Sequence, residues 1–125
     1  MHPSRRSVLL GAVVIAAAPA ARAADGQKIL RLQTRQIEVG GKAATRYGVA
    51  QPSGAMGLTL DEGDLLDVRV ENTLKVTSGL HWHGLNPPWQ QDGVPYISGP
   101  PIAPGQSAAY KFPARPTGTR WMHSH

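Results

Sequence analysis

Leu66-Asp67-Val68-Arg69-Val70-Glu71 alternates apolar and charged residues without a break. Successive side chains of a strand point to opposite faces, so Leu66, Val68 and Val70 form one face against a core while Asp67, Arg69 and Glu71 meet water. The polar run Asp61-Glu62-Gly63-Asp64 before it reads as a turn. Upstream, Ile29 to Val39 and Ala43 to Ala50 flank Gly40-Gly41, which predicts two paired strands joined as a hairpin. Downstream, Leu85 to Gln106 holds Pro87, Pro88, Pro95, Pro100, Pro101 and Pro104 with Gly93, Gly99 and Gly105 between them. That stretch reads as a long loop, and loops of such length in a compact domain are functional or disordered. Ser107 to Phe112 predicts another short strand, Pro113 and Pro116 break it, Gly118 turns the chain, and Thr119 to His125 begins a last strand.

The composition agrees with an all-β reading. The 125 residues allow one domain with a modest core, and 14 Gly and 11 Pro suit many short strands and turns better than helices. Residues 1–23 read as an address: Arg5-Arg6 precede a charge-free, mostly apolar run to Ala21, and Ala21-Arg22-Ala23 offers a small-x-small cleavage pattern. The paired arginines resemble a twin-arginine signal, an ordinary secretory signal being the alternative; either predicts a periplasmic or otherwise exported protein. The uncharged run falls short of the ~20 residues that span a bilayer and contains Pro19, so no permanent membrane anchor is expected. Without Arg5, Arg6 and Arg22 the formal charge of +5 falls to about +2 with no basic cluster, which gives nucleic-acid binding little support. The chain has no cysteine, so neither a disulfide nor a thiolate metal ligand is available in it.

Four of the five histidines stand in two triplets, His81-Trp82-His83 and His123-Ser124-His125. On a strand, residues i and i+2 share a face with α-carbons about 6.6 Å apart. His81 and His83 then point away from Trp82, and His123 and His125 share their face with Trp121. Adjacent strands could bring four imidazoles to one small volume, a donor set suited to copper, zinc, iron or nickel. A single His-x-His is equally compatible with half-buried histidines bonded to backbone; two pairs in a histidine-poor chain favour a metal. Trp82, Trp89 and Trp121 read as packing walls, Asp92-Gly93 as a turn, and Asp64 and Asp67 as solvated strand-edge residues.

Together, Gly79-Leu80-His81-Trp82-His83-Gly84-Leu85, Gln91-Asp92-Gly93-Val94-Pro95, Pro101-Ile102-Ala103-Pro104-Gly105-Gln106, Tyr110-Lys111-Phe112 and Gly118-Thr119-Arg120-Trp121-Met122-His123-Ser124-His125 resemble the first domain of the multicopper oxidases, the family of laccases and periplasmic copper-resistance oxidases. The resemblance runs from about Leu58 to the end, and Glu62-Gly63-Asp64 with Val70-Glu71-Asn72-Thr73-Leu74 resemble the strand preceding the first motif. It implies a cupredoxin-like Greek-key β-sandwich over residues 24–125, incomplete at its C-terminus, with ligands for a trinuclear copper cluster. By position, His81 would bind the type 2 copper, His83 and His123 one type 3 copper, and His125 the other. Asp92 resembles an acidic position thought to help deliver protons. The implied reaction is the four-electron reduction of dioxygen to water, fed by a reducing substrate through a type 1 copper. The absence of cysteine departs from that pattern: the type 1 ligands and half of the cluster's eight histidines would have to come from further domains, and the chain alone is expected to be inactive. Two alternatives remain open, a zinc hydrolase and an exported, non-catalytic copper-binding or structural protein.

Overall fold

The computed structural model describes residues 26–125, so the segment read as a signal, 1–23, lies outside the described residues. β1 (Lys28–Val39) and β2 (Lys42–Ala50) form the expected hairpin, in register from Arg31↔Ala50 to Val39↔Lys42. That register leaves Gly40-Gly41 as a two-residue turn with φ of +58° and +78°. Two consecutive left-handed residues match the twist of the flanking strands, which is why glycine fills both places.

Four strands follow: β3 (Leu65–Asn72), β4 (His81–His83), β5 (Ser107–Pro113) and β6 (Trp121–His123). Among the described residues the six strands divide into a four-stranded sheet, β2-β1-β3-β5, and a two-stranded ribbon, β4-β6. β3 runs parallel to β1 and antiparallel to β5. Its alternation holds, with Leu66, Val68 and Val70 buried. β3 is interior to its sheet, however, so Asp67 lies on the outer face of a central strand and not at an edge. It accepts hydrogen bonds there from Lys111 on β5 and from Gln27.

The core lies between the sheet and the ribbon. Leu30 and Leu32 of β1, the three apolar residues of β3, and Tyr110 and Phe112 of β5 pack on one side, with Trp82 of β4 facing them. The indole meets the rings of Tyr110 and Phe112 edge-on, at centroid distances of 5.2 and 5.8 Å. Asn72 occupies the inward phase after Val70 and is buried. Its amide nitrogen donates to the carbonyls of Val76 and Ile102 at 2.9 and 2.8 Å, and its amide oxygen accepts from the Leu74 N–H at 3.0 Å. A polar side chain is stable in a core only when satisfied in this way. The satisfied amide joins the end of β3 to the loops that lead into and out of the ribbon.

The proline-rich stretch from Leu85 to Gln106 is an ordered loop. It contains a short 3₁₀ turn, Trp89–Gln91, fastened to β5 where the Gln91 side-chain oxygen accepts from the Lys111 N–H. A bridge between Ser78 and Ile102 ties its far end down. Among the described residues, no helix is long and apolar enough to cross a membrane.

Candidate metal centre

The antiparallel register of the ribbon places His81 opposite His123, Trp82 opposite Met122, and His83 opposite Trp121. Burying Trp82 in the core turns its two neighbours to the other face, where directly opposed residues stand close enough to share a ligand. His81 is the hub of the resulting cluster. Its ring lies 5.6 Å from that of His83, 5.3 Å from His123 and 5.5 Å from His125. His83 and His123 are 5.4 Å apart, and His125 stacks on His123 at 5.9 Å. The sequence-predicted ligands are thus brought together, although β6 ends at His123 and His125 lies just beyond the paired strand.

Hydrogen bonds decide which nitrogens are available. His81 Nδ1 lies 2.8 Å from the backbone carbonyl of Asp92, and His123 Nδ1 lies 2.8 Å from that of Ser124. A carbonyl can only accept, so in the neutral ring both Nδ1 atoms carry the hydrogen and each Nε2 presents its lone pair, that of His81 free and that of His123 accepting from His83 Nδ1–H. Metal-bound histidines are oriented in this manner by outer partners. The Asp92 carboxylate stands farther off, with Oδ1 3.4 Å from the same His81 nitrogen.

His83 Nδ1 and His123 Nε2 approach to 3.3 Å. Two metal–nitrogen bonds of about 2.0–2.1 Å meeting at about 105–110° span that separation, so the pair fits one shared ion. One potential donor atom from each of His81, His83 and His123 lies within 4.8 Å of the others. All the candidate donors are imidazoles, which suits a late transition metal over calcium or magnesium.

Arg120 fixes the ribbon from outside the cluster. Its guanidinium donates to the carbonyl of Gly84, just after β4, and to those of Thr117 and Thr119, just before β6. Trp121 packs on the histidines, 4.8 Å from His83 and 4.5 Å from His123, yet remains 60% exposed. The expectation that all three tryptophans are packing walls holds for Trp82 alone. Trp121 sits on the histidine face of β6, and Trp89 lies on a 3₁₀ turn that buries nothing. The orienting roles of Arg120 and of the Ser124 carbonyl were not read from sequence, because contacts to main-chain oxygen leave no residue-type signature.

An all-β, cupredoxin-like sandwich with four imidazoles gathered at a short ribbon defines a class of domain equipped to bind a transition metal. The family model described as multicopper oxidase matches residues 31–125, and the chain belongs to that family. It is 38% identical over 96 residues to a copper resistance protein A homolog of Pseudomonas syringae pv. tomato, covering 77% of this chain and 16% of that protein. It is 46% identical over 71 residues to multicopper oxidase MCE of Talaromyces pinophilus, covering 54% of this chain and 12% of that one. Among solved structures, a multi-copper oxidase from Pseudomonas thermotolerans superposes with a TM-score of 0.74 at 32% identity, covering 83% of this chain and 26% of its own. A blue copper oxidase from Nitrosomonas europaea gives 0.69 at 34% identity, covering 78% and 31%. The chain therefore spans less than a third of each of these proteins, and the family implies copper as the metal.

Proposed function

We propose that this chain supplies half of the protein ligands of a trinuclear copper cluster in an oxidase that reduces dioxygen to water at the expense of a reducing substrate. The carrying observation is the pair of converging nitrogens on His83 and His123, 3.3 Å apart and joined by a hydrogen bond whose proton a metal ion would displace, beside a third imidazole whose Nε2 lone pair is free. In this reading His83 and His123 hold one type 3 copper, His125 its partner and His81 the type 2 copper. Bound copper supplies the redox chemistry of the four-electron reduction. The chain's own residues orient the imidazoles through Nδ1–H bonds, and the Asp92 carboxylate, beside His81, can hold and pass a proton to the oxygen-reducing site. With no cysteine, the chain offers no thiolate for a type 1 copper, so electron entry and the remaining cluster ligands belong to segments outside it. Arg5-Arg6 and the apolar run behind them support export, by the twin-arginine route to the periplasm or as an ordinary secretory signal.

Titrating the purified chain with Cu(II) while recording its electron paramagnetic resonance tests the ligand set. Nitrogen couplings are expected, together with stabilisation of about 2.7 kcal/mol at a hundredfold excess over Kd. His83→Ala and His123→Ala should each remove the tight site and leave metal-free stability within about 0.5 kcal/mol. Unchanged copper binding in either variant would sink the assignment, and one equivalent of zinc bound in preference to copper would favour a hydrolytic site. In the longer oxidase, His81→Ala or His125→Ala should abolish oxygen uptake, and Asp92→Asn should slow turnover with copper content intact.

A further inference from the structure

We infer that Gly93 is a positioning residue for His81: it lets the backbone carbonyl of Asp92, rather than the Asp92 carboxylate, fix which imidazole nitrogen faces the metal. Gly93 has φ of +79°, and a Cβ placed on it would fall 1.8 Å from the Leu80 carbonyl oxygen, 2.7 Å from the Leu80 carbonyl carbon and 3.3 Å from His81 Cα. All three atoms are main chain at the entry to β4, so no side-chain rotation relieves the overlap. The loop is equally close on its other flank, where a Cβ on Gly79 would meet Pro95 Cγ at 2.6 Å and the Gly93 carbonyl oxygen at 3.1 Å. This seam brings the Asp92 carbonyl to His81 Nδ1 at 2.8 Å and to the Trp82 N–H at 3.4 Å. The Asp92 Oδ1, at 3.4 Å, lies beyond the usual 2.7–3.2 Å of an N–H···O bond.

A larger residue at position 93 must push the Asp92–Gly93 peptide off β4. His81 Nδ1 then loses its acceptor, and the ring is released to the Nε2–H form that an unconstrained histidine favours. That form places a hydrogen where the lone pair should meet the metal. The consequence for metal affinity rests on the copper reading above, whereas the tautomer itself does not.

The test is to record two-bond ¹H–¹⁵N correlations of the histidine rings in the labelled, metal-free chain at a pH where they are neutral, then to titrate with Cu(II). In the wild type, His81 should carry its hydrogen on Nδ1. Gly93→Ala should move it to Nε2 and weaken the His81-dependent copper site about 10- to 100-fold. Gly105→Ala is the control, since Gly105 has a similar φ of +74° but nothing within 4 Å of a Cβ; it should change neither readout. Asp92→Asn should keep the hydrogen on Nδ1, because the backbone carbonyl survives. A wild-type Nε2–H form, an unchanged tautomer in Gly93→Ala, or transfer to Nε2 in Asp92→Asn would each overturn the inference. If Gly93→Ala does not fold, the wild-type and Asp92→Asn spectra decide it. Failure of copper to bind a chain whose His81 is Nδ1–H would defeat the copper reading alone.

Discussion

The two sheets of this molecule are held together by different means. The four-stranded sheet rests on long ladders, Arg31↔Ala50 to Val39↔Lys42 on one side and Leu65↔Pro113 to Glu71↔Ser107 on the other, with its apolar phase sunk in the core. The β4–β6 ribbon has three residues in each strand, and its one fully buried side chain is Trp82. Met122 of β6 packs partly buried against the core, and further restraints are hydrogen bonds to carbonyl oxygens, from Arg120 to the segments at one end and from His81 to Asp92. The scaffold is thus specified by burial and the site by main-chain geometry with a single aromatic anchor. A change in the anchor should therefore disturb the site far more than a comparable change on the outer face of the sheet.

Trp82→Ala is the largest test of that difference. Truncating a buried tryptophan costs about 3–5 kcal/mol, and here it also removes the only buried attachment of β4. Urea unfolding should show that loss, with the Cu(II) signal of the ribbon abolished in whatever fraction stays folded. Trp82→Phe sharpens the point, because the indole Nε1 is buried without a hydrogen-bond partner. Phenylalanine keeps most of the contact with Tyr110 and Phe112 and relieves the unpaired donor, so its net cost should stay below about 1.5 kcal/mol. A Trp82→Ala cost under about 1 kcal/mol would break the comparison, since the ribbon would then be held by its hydrogen bonds and Met122 without the indole.

Asn72→Ala comes next, because Asn72 joins the two regions. Its loss strands the carbonyl of Val76 and the N–H of Leu74, while the Ile102 carbonyl keeps the Ser78 N–H, at a cost of about 1–3 kcal/mol. Amide exchange should quicken in residues 73–80, the lead into β4, while Leu66 to Val70 stay protected. Uniform acceleration through β3 would mean that Asn72 serves the sheet rather than the connection.

The difference between the regions also explains what could be read in the sequence. Leu66 to Glu71 announced a strand because alternating burial is written directly into residue type, and Gly40-Gly41 announced its turn because few residues other than glycine accept two consecutive left-handed conformations. The histidine faces were legible for the same reason, spacing of two on an extended chain. Strand registry was not: His81 stands opposite His123 with Trp82 docked in the core and Arg120 clasping the end of β4 to the start of β6, and neither contact follows from periodicity. Trp121 shows the limit well. Its alternation placed it with His123, yet its apolar character suggested a packing wall; the strand geometry prevailed and left it exposed beside the imidazoles. Asn72 escaped notice because a polar residue in the inward phase has meaning only once its partners are known.

The smallest expected effect is on the outer face of the sheet, at the register pair Asp67↔Lys111. Lys111 Nζ lies 2.8 Å from Asp67 Oδ2 and Gln27 Nε2 lies 3.0 Å from Oδ1. The hydrogen bond from Lys111, followed by that from Gln27, holds the Asp67 carboxyl below its usual value of 3.8. Because the folded value is depressed, the stabilisation is fully present above the unfolded value and is lost as pH falls through the folded one. Asp67→Asn should therefore lower stability slightly at neutral pH, less in high salt, and should match the wild type once acid has protonated the carboxyl. Paired unfolding curves at neutral and acidic pH check this. A deficit that persists in acid would trace to packing and not to charge. Copper binding should not change in either case, since Asp67 touches the sheet and nothing in the ribbon; a loss of copper affinity in Asp67→Asn would show that the two regions are coupled through β3 and β5.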